Sequence, residues 1–431
     1  MNREEIIGVL DSWNFWKNDP ETGIDRPEYL ERINRLAKTG QVVAITGVRR
    51  SGKSTIIKQF IKNQIRAGAR PTSFLFVNFE EPRFADGLSL EFLQSIYDAY
   101  LEIVKPEGKP WVLLDEVQKV PKWESFVRAL HEKGEAHVLV SGSTSDLLSS
   151  EFGTLLTGRW VEQKVYPLSF HEFLRFRGLN VGEKLDVINK KRKIKQLLRE
   201  YLEFGGFPLV TLRGEKEEIL RRYFEDITLR DIAARHNIRK TEKLKGLAKY
   251  YLTNFSSMIS YRKVSKFIGV SLDSIERFSE YLKDTQLVFF IPKFSFSLKE
   301  QEINPRKVYG IDSGLINIVS FRFSENIGRL FENAVFLSLV RQNSELYYYK
   351  GAGECDFIVK QGKKVTRAIQ VSYTLDGIKE REIKGLLGAM EAFKLKTGFV
   401  VTEDMAGEEI VDGKKIVYVP LWRWLLESQN P

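Results

Sequence analysis

The sequence is poor in the residues that form disulfides and zinc sites. Its 431 residues include one cysteine, Cys355, and four histidines, His131, His137, His171 and His236. One cysteine excludes an intramolecular disulfide and fits a reducing compartment. Histidines this far apart, with a single thiol, do not supply the ligands of a zinc site.

Long apolar segments are missing as well. No apolar run reaches the roughly 18 residues that a membrane span needs, and residues 1–5 contain no apolar signal core. We therefore expect no membrane partner and a cytoplasmic location. A hydrophobic content of 43% and a charged content of 29% indicate a globular protein, and the length predicts two or three domains.

Positive charge exceeds negative charge in the composition. The chain has 67 Lys and Arg against 57 Asp and Glu, a formal net charge of +10 at pH 7. This excess favours an anionic partner beyond ATP, which alone does not require it. We expect DNA to be that partner.

A phosphate-binding pattern lies between an apolar run (residues 42–45) and a helix-like stretch (residues 56–61). It fits the P-loop G-x-x-x-x-G-K-[ST], in which glycines let the backbone close around a phosphate chain and a helix N-terminus faces the negative charge. We expect Lys53 to reach the β- and γ-phosphates and the Ser54 hydroxyl to bind Mg²⁺. The matching residues are Gly47, Val48, Arg49, Arg50, Ser51, Gly52, Lys53, Ser54 and Thr55.

Two carboxylates, Asp115 and Glu116, end the apolar run at residues 111–114. An apolar strand ending in acids is the Walker B pattern. We expect Asp115 to hold Mg²⁺, directly or through water, and Glu116 to polarise the attacking water. Both belong at the carboxyl edge of a parallel sheet, where open α/β folds bind their ligands.

Short apolar runs alternate with helical stretches through the first part of the chain, which predicts a parallel βαβ sheet. We assign residues 1–165 to a P-loop core with an N-terminal arm. The arm, with Trp13, Trp16 and Tyr29, either packs on the nucleotide base or forms a capping helix. The apolar runs are residues 42–45, 72–78, 111–114, 137–141 and 162–166.

Two polar segments near the end of the core are candidates for contact with the γ-phosphate. Ser143, or Thr144 beside it, follows the fourth run and would sense the γ-phosphate from between the two Walker strands; the alternative is a plain hydroxyl-rich turn. Arg159 would act as an arginine finger, in cis or in trans within a ring, unless it is a surface arginine.

Residues 166–238 have a helical pattern and predict a lid. The segment Gly205-Gly206-Phe207-Pro208 interrupts this pattern, and the basic cluster at residues 190–193 is expected to be a solvated helix face.

Residues 239–322 predict a winged helix, with three helices followed by a β-ribbon. In winged helices that bind DNA the third helix enters the major groove, whereas others contact proteins or serve as rigid lids. The third helix is capped by Ser271. Its outward face offers Asp273, Ser274, Glu276, Arg277 and Lys283.

Residues 323–431 follow the order α-β-β-β-α-β, which is typical of the PD-(D/E)XK nuclease core. That core binds Mg²⁺ through acidic residues at one strand edge and has a lysine nearby. Glu332 and Asp356 fit two of the acidic positions, and Gln370 stands at the third.

The lysine that should follow is replaced by Ser372, and Lys379 or Lys384 on the next helix would have to substitute for it. We therefore expect a degenerate nuclease fold kept for binding or structure, with an active nuclease as the alternative.

These segments together resemble the archaeal and bacterial AAA+ (STAND/ORC-like) P-loop ATPases that carry a C-terminal domain of the DUF4143 type. The similarity covers nearly the whole chain, and the segments 353–357 and 368–371 share it. It implies this fold, ATP chemistry and a Gly-x-Pro lid motif that would place Pro208 near the adenine. The resemblance rests on the P-loop, Leu114-Asp115-Glu116, Ser141-Gly142-Ser143, Gly158-Arg159 and the segment Pro-Leu-Ser-Phe-His-Glu-Phe at residues 167–173.

The sequence therefore predicts a Mg²⁺-dependent ATPase of the α/β class with an AAA+ core, a helical lid, a winged helix and a restriction-endonuclease-like domain. Its expected ligands are ATP or ADP, Mg²⁺ and duplex or branched DNA, and it would form a dimer or ring. A slowly hydrolysing switch that binds a protein partner and an ATP-regulated nuclease are the alternatives.

Overall fold

The computed structural model describes residues 1–142, 156, 158–182, 184–320, 327–351, 353–375 and 379–427. They form two compact units, Met1–Val165 and Tyr166–Pro431. No helix among these described residues is both long enough and apolar enough to cross a membrane.

The first unit is built on a five-stranded parallel sheet with the order β2-β3-β4-β1-β5. The predicted parallel sheet is confirmed, and β4 lies between the P-loop strand β1 and the Walker B strand β3. The strands are β1 (Val42–Thr46), β2 (Phe74–Asn78), β3 (Trp111–Asp115), β4 (His137–Ser141) and β5 (Trp160–Lys164). The α-helices are α1 (Arg3–Asp11), α2 (Pro27–Ala37), α3 (Lys53–Arg66), α4 (Leu90–Ala99) and α5 (Trp123–Lys133).

The central strands form because their side chains are buried on both faces. All residues of β1 are buried, as are most of β2, β3 and β4, which explains the continuous apolar runs of the sequence. The fifth strand, β5, begins two residues earlier than the run predicted at 162–166 and is only half-buried.

The N-terminal segment covers the edge strand β2. The Asn14 amide donates to the Phe76 carbonyl at 2.9 Å and accepts from the Phe76 N–H at 2.7 Å. The Trp16 indole donates to the Phe74 carbonyl at 2.8 Å. These contacts satisfy backbone groups that an edge strand would otherwise leave unpaired, and they favour the capping interpretation of the arm.

The second unit contains two sheets. The three-stranded antiparallel sheet has the order β6-β8-β7, and the six-stranded mixed sheet has the order β13-β14-β12-β11-β10-β9. The strands of the smaller sheet are β6 (Ser257–Ile259), β7 (Val288–Ile291) and β8 (Arg306–Gly310). Those of the larger are β9 (Glu345–Lys350), β10 (Glu354–Gln361), β11 (Lys364–Val371), β12 (Thr397–Thr402), β13 (Gly407–Val411) and β14 (Lys414–Pro420).

The helices of the second unit surround these sheets. A π-helical segment, Asp226–Ala234, continues the helix that ends at Glu225. In chain order the α-helices are α6 (Phe170–Phe176), α7 (Lys184–Asn189), α8 (Lys191–Phe204), α9 (Pro208–Leu212), α10 (Lys216–Glu225), α11 (Thr241–Thr253), α12 (Tyr261–Ile268), α13 (Leu272–Asp284), α14 (Leu298–Ile303), α15 (Ser313–Ser320), α16 (Ile327–Val340), α17 (Lys379–Ala392) and α18 (Leu421–Glu427).

The smaller sheet contains the predicted ribbon, β7 and β8, together with the short strand β6, which the sequence did not indicate. Helices α11, α12 and α13 precede the ribbon in the predicted order, and the Ser271 hydroxyl caps α13 by accepting from the Ser274 N–H. The winged-helix assignment itself stays a prediction.

The larger sheet follows the predicted α-β-β-β-α-β order and adds the strand β13. Strands β11, β12 and β14 pair in parallel, and the other pairs are antiparallel. Strand β13 was missed because its residues are mostly exposed and lack an apolar face. The relation to the nuclease core stays a prediction.

A glycine pair joins the end of α8 to the start of α15. The Gly206 N–H donates to Asp312 Oδ2 at 2.7 Å, and its carbonyl accepts from the Leu168 N–H at 2.6 Å. Gly205 has φ +76°, and a Cβ there would lie 2.0 Å from Asp312 Oδ1. Only glycine lets the backbone approach the buried carboxylate this closely.

Asp312 gives the second unit a pH-dependent stability. Burial raises its pKa to about 6, although the N–H groups of Gly206, Leu315 and Gly314 lower it in part. The folded chain therefore holds this proton more tightly than the unfolded chain. The free energy of unfolding should fall by up to about 3 kcal/mol as pH rises from about 4 to 6, and then level off.

Urea unfolding of the parent and of Asp312→Asn across pH 4–7 measures this contribution. In Asp312→Asn the free energy of unfolding should no longer fall in this way with pH, whereas the exposed control Asp273→Asn should keep this pH dependence. Equal pH slopes for the parent and Asp312→Asn would contradict the assignment.

Candidate active site

The P-loop connects β1 to α3 and has the geometry of a phosphate cradle. Gly47 has φ +145°, and a Cβ there would lie 2.2 Å from the Val165 carbonyl oxygen, so only glycine fits. Gly52, at φ +100°, directly precedes α3, which begins at Lys53. The loop thus ends at a helix N-terminus, whose free N–H groups attract a phosphate.

Lys53 and Arg26 stabilise the loop from two directions. The Lys53 ammonium donates to the carbonyls of Gly47 at 3.0 Å and Val48 at 3.3 Å, which keeps it over the loop. The buried Arg26, from the N-terminal segment, donates to the Ser51 carbonyl at 2.9 Å. Sequence analysis missed Arg26, because nothing local distinguishes it from other arginines.

Asp115 lies buried at the end of β3, next to the P-loop. Burial raises the pKa of its carboxyl group and Glu116 adds to the rise, while the hydroxyls of Ser141 and Ser54 and the Lys53 ammonium lower it in part. The Ser141 hydroxyl donates to Asp115 Oδ1. Asp115 Oδ2 has no hydrogen-bond partner among the described residues.

This donor set fits a magnesium ion. A buried carboxylate oxygen without a partner is costly, and a hard cation offsets that cost. Asp115 Oδ2 and the Ser54 hydroxyl are oxygen ligands of the kind that Mg²⁺ takes, and both adjoin the phosphate cradle. Asp115 and Ser54 are therefore the residues that would hold the metal.

Glu116 adopts a backbone conformation that non-glycine residues rarely take. It has φ +53° and ψ +42°, immediately after β3. Its carboxylate accepts from the Gln118 amide at 2.7 Å and is partly exposed. Residues in such conformations cluster at functional sites, and this one directly follows Asp115.

The remaining candidates of the first unit have different outcomes. Ser143 and Thr144 lie outside the described residues, so the described polar group at the end of β4 is Ser141. Arg159 precedes β5, and its carbonyl accepts from the N–H of Val42, the first residue of β1. The P-loop follows the other end of β1, about 16 Å away along the strand.

Arg159 is therefore not brought to the P-loop of its own chain, and it forms an ion pair with Glu132 at 3.2 Å. The in-trans alternative stays a prediction. Pro208, in the second unit, occupies the first turn of α9, a position that suits proline because its missing N–H has no helical partner there. Its contact with adenine also stays a prediction.

The three nuclease-like candidates do come together in the second unit. Glu332 lies on α16, Asp356 on β10 and Gln370 on β11. The Gln370 amide oxygen accepts from the Asp356 N–H at 3.2 Å, and Asp356 Oδ2 accepts from the Val371 N–H at 2.9 Å.

A lysine from another element occupies this cluster. The buried Lys307 ammonium, from β8, lies 2.8 Å from Asp356 Oδ1, 3.1 Å from Glu332 Oε1 and 2.9 Å from Glu354 Oε1. The lysines considered from the sequence are elsewhere, because Lys379 pairs with Glu409 at 2.9 Å and Lys384 is exposed. The sequence feature that could have identified Lys307 is a single lysine in a strand whose other residues are mostly buried.

The Lys307 ammonium offsets part of the negative charge of the three surrounding carboxylates. Burial disfavours the charged lysine, but Asp356 and Glu332 outweigh burial and raise the pKa of Lys307 well above its ordinary value. Burial and Asp356 raise the pKa of Glu332 to about 7. No group of three or more potential metal-ligating side chains was found within the described part of the chain. An internal cation thus occupies the cluster that the sequence predicted as a nuclease-like Mg²⁺ site, and that prediction remains untested.

Comparison with known proteins agrees with the geometry of the P-loop. Residues 39–174 match the family model "AAA domain", and residues 327–424 match the DUF4143 domain of unknown function. An uncharacterized protein of Methanocaldococcus jannaschii is 35% identical over 406 residues, covering 90% of this chain and 88% of the relative. The chain belongs to the AAA P-loop ATPases with a C-terminal DUF4143 domain.

Two further matches cover the middle of the chain and nearly its full length. Residues 195–326 match a second domain of unknown function, DUF8612. An uncharacterized protein of Haemophilus influenzae is 28% identical over 407 residues, covering 93% of this chain and 98% of the relative.

Solved structures give weaker matches. A Walker-type ATPase of Pyrococcus abyssi covers 68% of this chain and 95% of its own, at 13% identity and a TM-score of 0.42. The ORC1 protein of Aeropyrum pernix, solved in complex with DNA, covers 76% of this chain and 98% of its own, at 13% identity and a TM-score of 0.30.

Removing the Lys307 charge should strongly destabilise this ATPase. Lys307→Met would leave three carboxylates facing one another without a cation, and breaking a buried ion pair costs about 3–5 kcal/mol. The midpoint of urea unfolding should fall markedly, and adding Glu332→Gln should restore part of it. The exposed Lys384→Met is the control, and an equal midpoint for the two single variants would show that the cluster does not stabilise the fold.

Proposed function

We propose that the protein is a Mg²⁺-dependent ATPase that uses ATP binding and hydrolysis to change conformation, and that it acts on DNA. The observation that carries the enzymatic part is the buried Asp115 carboxylate, whose Oδ2 has no hydrogen-bond partner among the described residues and which adjoins Ser54 and Lys53. A carboxylate in this state beside a P-loop suits a metal bound together with a nucleotide.

Each residue of the site has a distinct proposed role. The P-loop N–H groups and Lys53 bind the phosphates, and Asp115 and Ser54 hold Mg²⁺. Mg²⁺, when bound, offsets the negative charge that develops on the phosphate oxygens. Glu116 orients the attacking water, which its partly exposed position directly after β3 supports.

Arg159 and Pro208 also have proposed roles at the nucleotide site, although neither belongs to the P-loop. Arg159 is partly exposed and lies at the sheet edge away from its own P-loop, so it would complete the site of an adjacent protomer after leaving Glu132. Pro208 would contact the adenine, and Ser143 would sense the γ-phosphate. A ring or dimer is therefore part of the proposal.

The DNA part rests on the net charge and on where that charge lies. On α13 the exposed residues mix both signs, and Lys283 pairs with Glu280 at 2.7 Å, which does not favour a helix that reads the major groove. Helix α12 instead exposes Arg262, Lys263 and Lys266 and contains no acidic residue. DNA contacts to phosphates are thus better supported than contacts to base edges.

The mixed charge of α13 also supports a second candidate, in which the protein is an ATP-hydrolysing switch that binds a protein partner. Cleavage of DNA by the C-terminal domain is the weakest of the three alternatives, because the Lys307 ammonium lies between Glu332 and Asp356. We propose that this domain serves binding or structure.

Substitutions at Glu116 and Lys53 separate turnover from binding. Glu116→Gln should bind ATP within about twofold of the parent and hydrolyse it at least about 100-fold more slowly, because it loses the group that orients water. Lys53→Ala should lose tight nucleotide binding. Titration with a fluorescent ATP analogue and phosphate release measure the two properties, with the exposed Glu107→Gln as control. Turnover by Glu116→Gln at the parental rate would remove Glu116 from the mechanism.

ATP turnover with single-stranded, duplex and four-way-junction DNA distinguishes the two candidate functions. Stimulation by one DNA form, lost in Glu116→Gln and weakened between about 50 and 200 mM salt, is expected for a DNA-coupled ATPase, since phosphate contacts release counterions. Turnover that ignores every DNA, with no salt-sensitive binding, would favour the protein-directed switch.

A further inference from the structure

A groove of about 630 Å³ lies on the second unit, outside both clusters described above. Its walls are the segment that joins β7 to β8, the β10–β11 hairpin and the end of α17. Pockets that bind small ligands have volumes of roughly 300–1,000 Å³, so the groove has room for one or two nucleotide units.

Aromatic side chains form the floor and one rim of the groove. Phe294 packs edge-on against Phe393 at 4.6 Å and Tyr347 at 5.2 Å between ring centroids. Phe296 meets Phe294 at 5.3 Å and is otherwise 92% exposed. A phenylalanine this exposed buries almost no area for the fold, and its ring is open to stacking by a ligand.

Among the described residues, the groove is lined by four lysines and by no carboxylate: Lys360, Lys363, Lys364 and Lys394. Lys360 forms an ion pair with Glu345 at 2.5 Å, whereas Lys363 lies in the hairpin turn and Lys364 begins β11, both exposed. Lys394 follows α17 with φ +56°, a position where helices favour glycine. The groove therefore presents positive charge beside an open aromatic face.

We propose that this groove binds single-stranded nucleic acid. A base stacks on Phe296, and the neighbouring phosphates contact Lys363, Lys364 and Lys394; stacked aromatic platforms along a basic groove are how proteins bind single strands without sequence preference. A duplex keeps its base faces stacked within the helix, so it cannot use Phe296. An acidic peptide would use the lysines but would not need the ring.

This inference rests on the proposed function in taking DNA as the polymer, and it adds where a strand binds and in which form. It would apply to a single-stranded arm of a branched DNA. The described residues that line the groove all belong to the second unit, so its binding can be measured without added nucleotide.

The test measures binding of the full chain to a fluorescent thymidine 20-mer and to a 20-base-pair duplex, by anisotropy at several salt concentrations. Phe296→Ala should weaken binding to the single strand by about 10-fold or more and leave duplex binding within about twofold. Lys363→Ala with Lys364→Ala should reduce the salt slope for the single strand by about 1.4. Both changes are at exposed positions, so the fold should be kept.

Two control variants remove similar side chains at exposed positions away from the groove. Ile410→Ala removes another exposed apolar side chain, and Arg35→Ala with Lys38→Ala removes two exposed positive charges at the C-terminal end of α2. Both should bind the single strand like the parent.

The alternative outcomes are distinct. If duplex or junction DNA binds but the groove variants bind the single strand like the parent, the groove assignment is overturned and the proposed function stands. If no DNA binds at any salt concentration, both fail. If a polyglutamate peptide competes and Phe296→Ala has no effect, the groove takes acidic peptides and the assignment to nucleic acid is wrong.

Discussion

The Lys307 ammonium lies within 3.1 Å of carboxylate oxygens on α16 and β10 and so joins β8, α16 and β10 of the second unit. Two further contacts join β8 to α16. Tyr309 donates to Glu332 at 2.7 Å, and the Asn333 amide pairs with both backbone polar groups of Gly310 at 2.9 and 3.0 Å. Strand β8 is thus fixed to α16 by polar groups rather than by apolar area alone, which specifies one register of the strand.

The negative charge of buried carboxylates is compensated in different ways at two sites in this chain. At Glu332 and Asp356 the compensating cation is covalently part of the protein, so it cannot exchange with solvent. At Asp115 one oxygen is left without a partner among the described residues, and a diffusible cation can compensate it. The desolvation penalty is common to both sites, and the difference is that a lysine from another sheet, Lys307 on β8, reaches the carboxylates of the second unit.

Local sequence patterns predicted much of the fold and of the P-loop site, but they did not predict contacts between distant segments. The P-loop, Asp115 and Glu116 are recognisable because strand, loop and helix are contiguous in the sequence. Lys307 is 25 residues from Glu332 and 49 from Asp356, so no spacing rule connects them. Arg159 lies next to the first residue of β1 because β5 pairs with β1, and this strand order is what alternating apolar runs do not fix. Strands β6 and β13 are too short or too exposed to produce an apolar pattern.

The hydrogen bonds from Asn14 and Trp16 to β2 have a consequence for the integrity of the chain. They stand in for a neighbouring strand, so the sheet ends where the N-terminal segment begins. Strand β2 reads Phe-Leu-Phe-Val-Asn, an apolar sequence whose exposed edge would pair readily with another molecule. Loss of residues 1–16, by proteolysis or by an internal translation start, would therefore favour self-association of the P-loop core while leaving the P-loop and Asp115 in place.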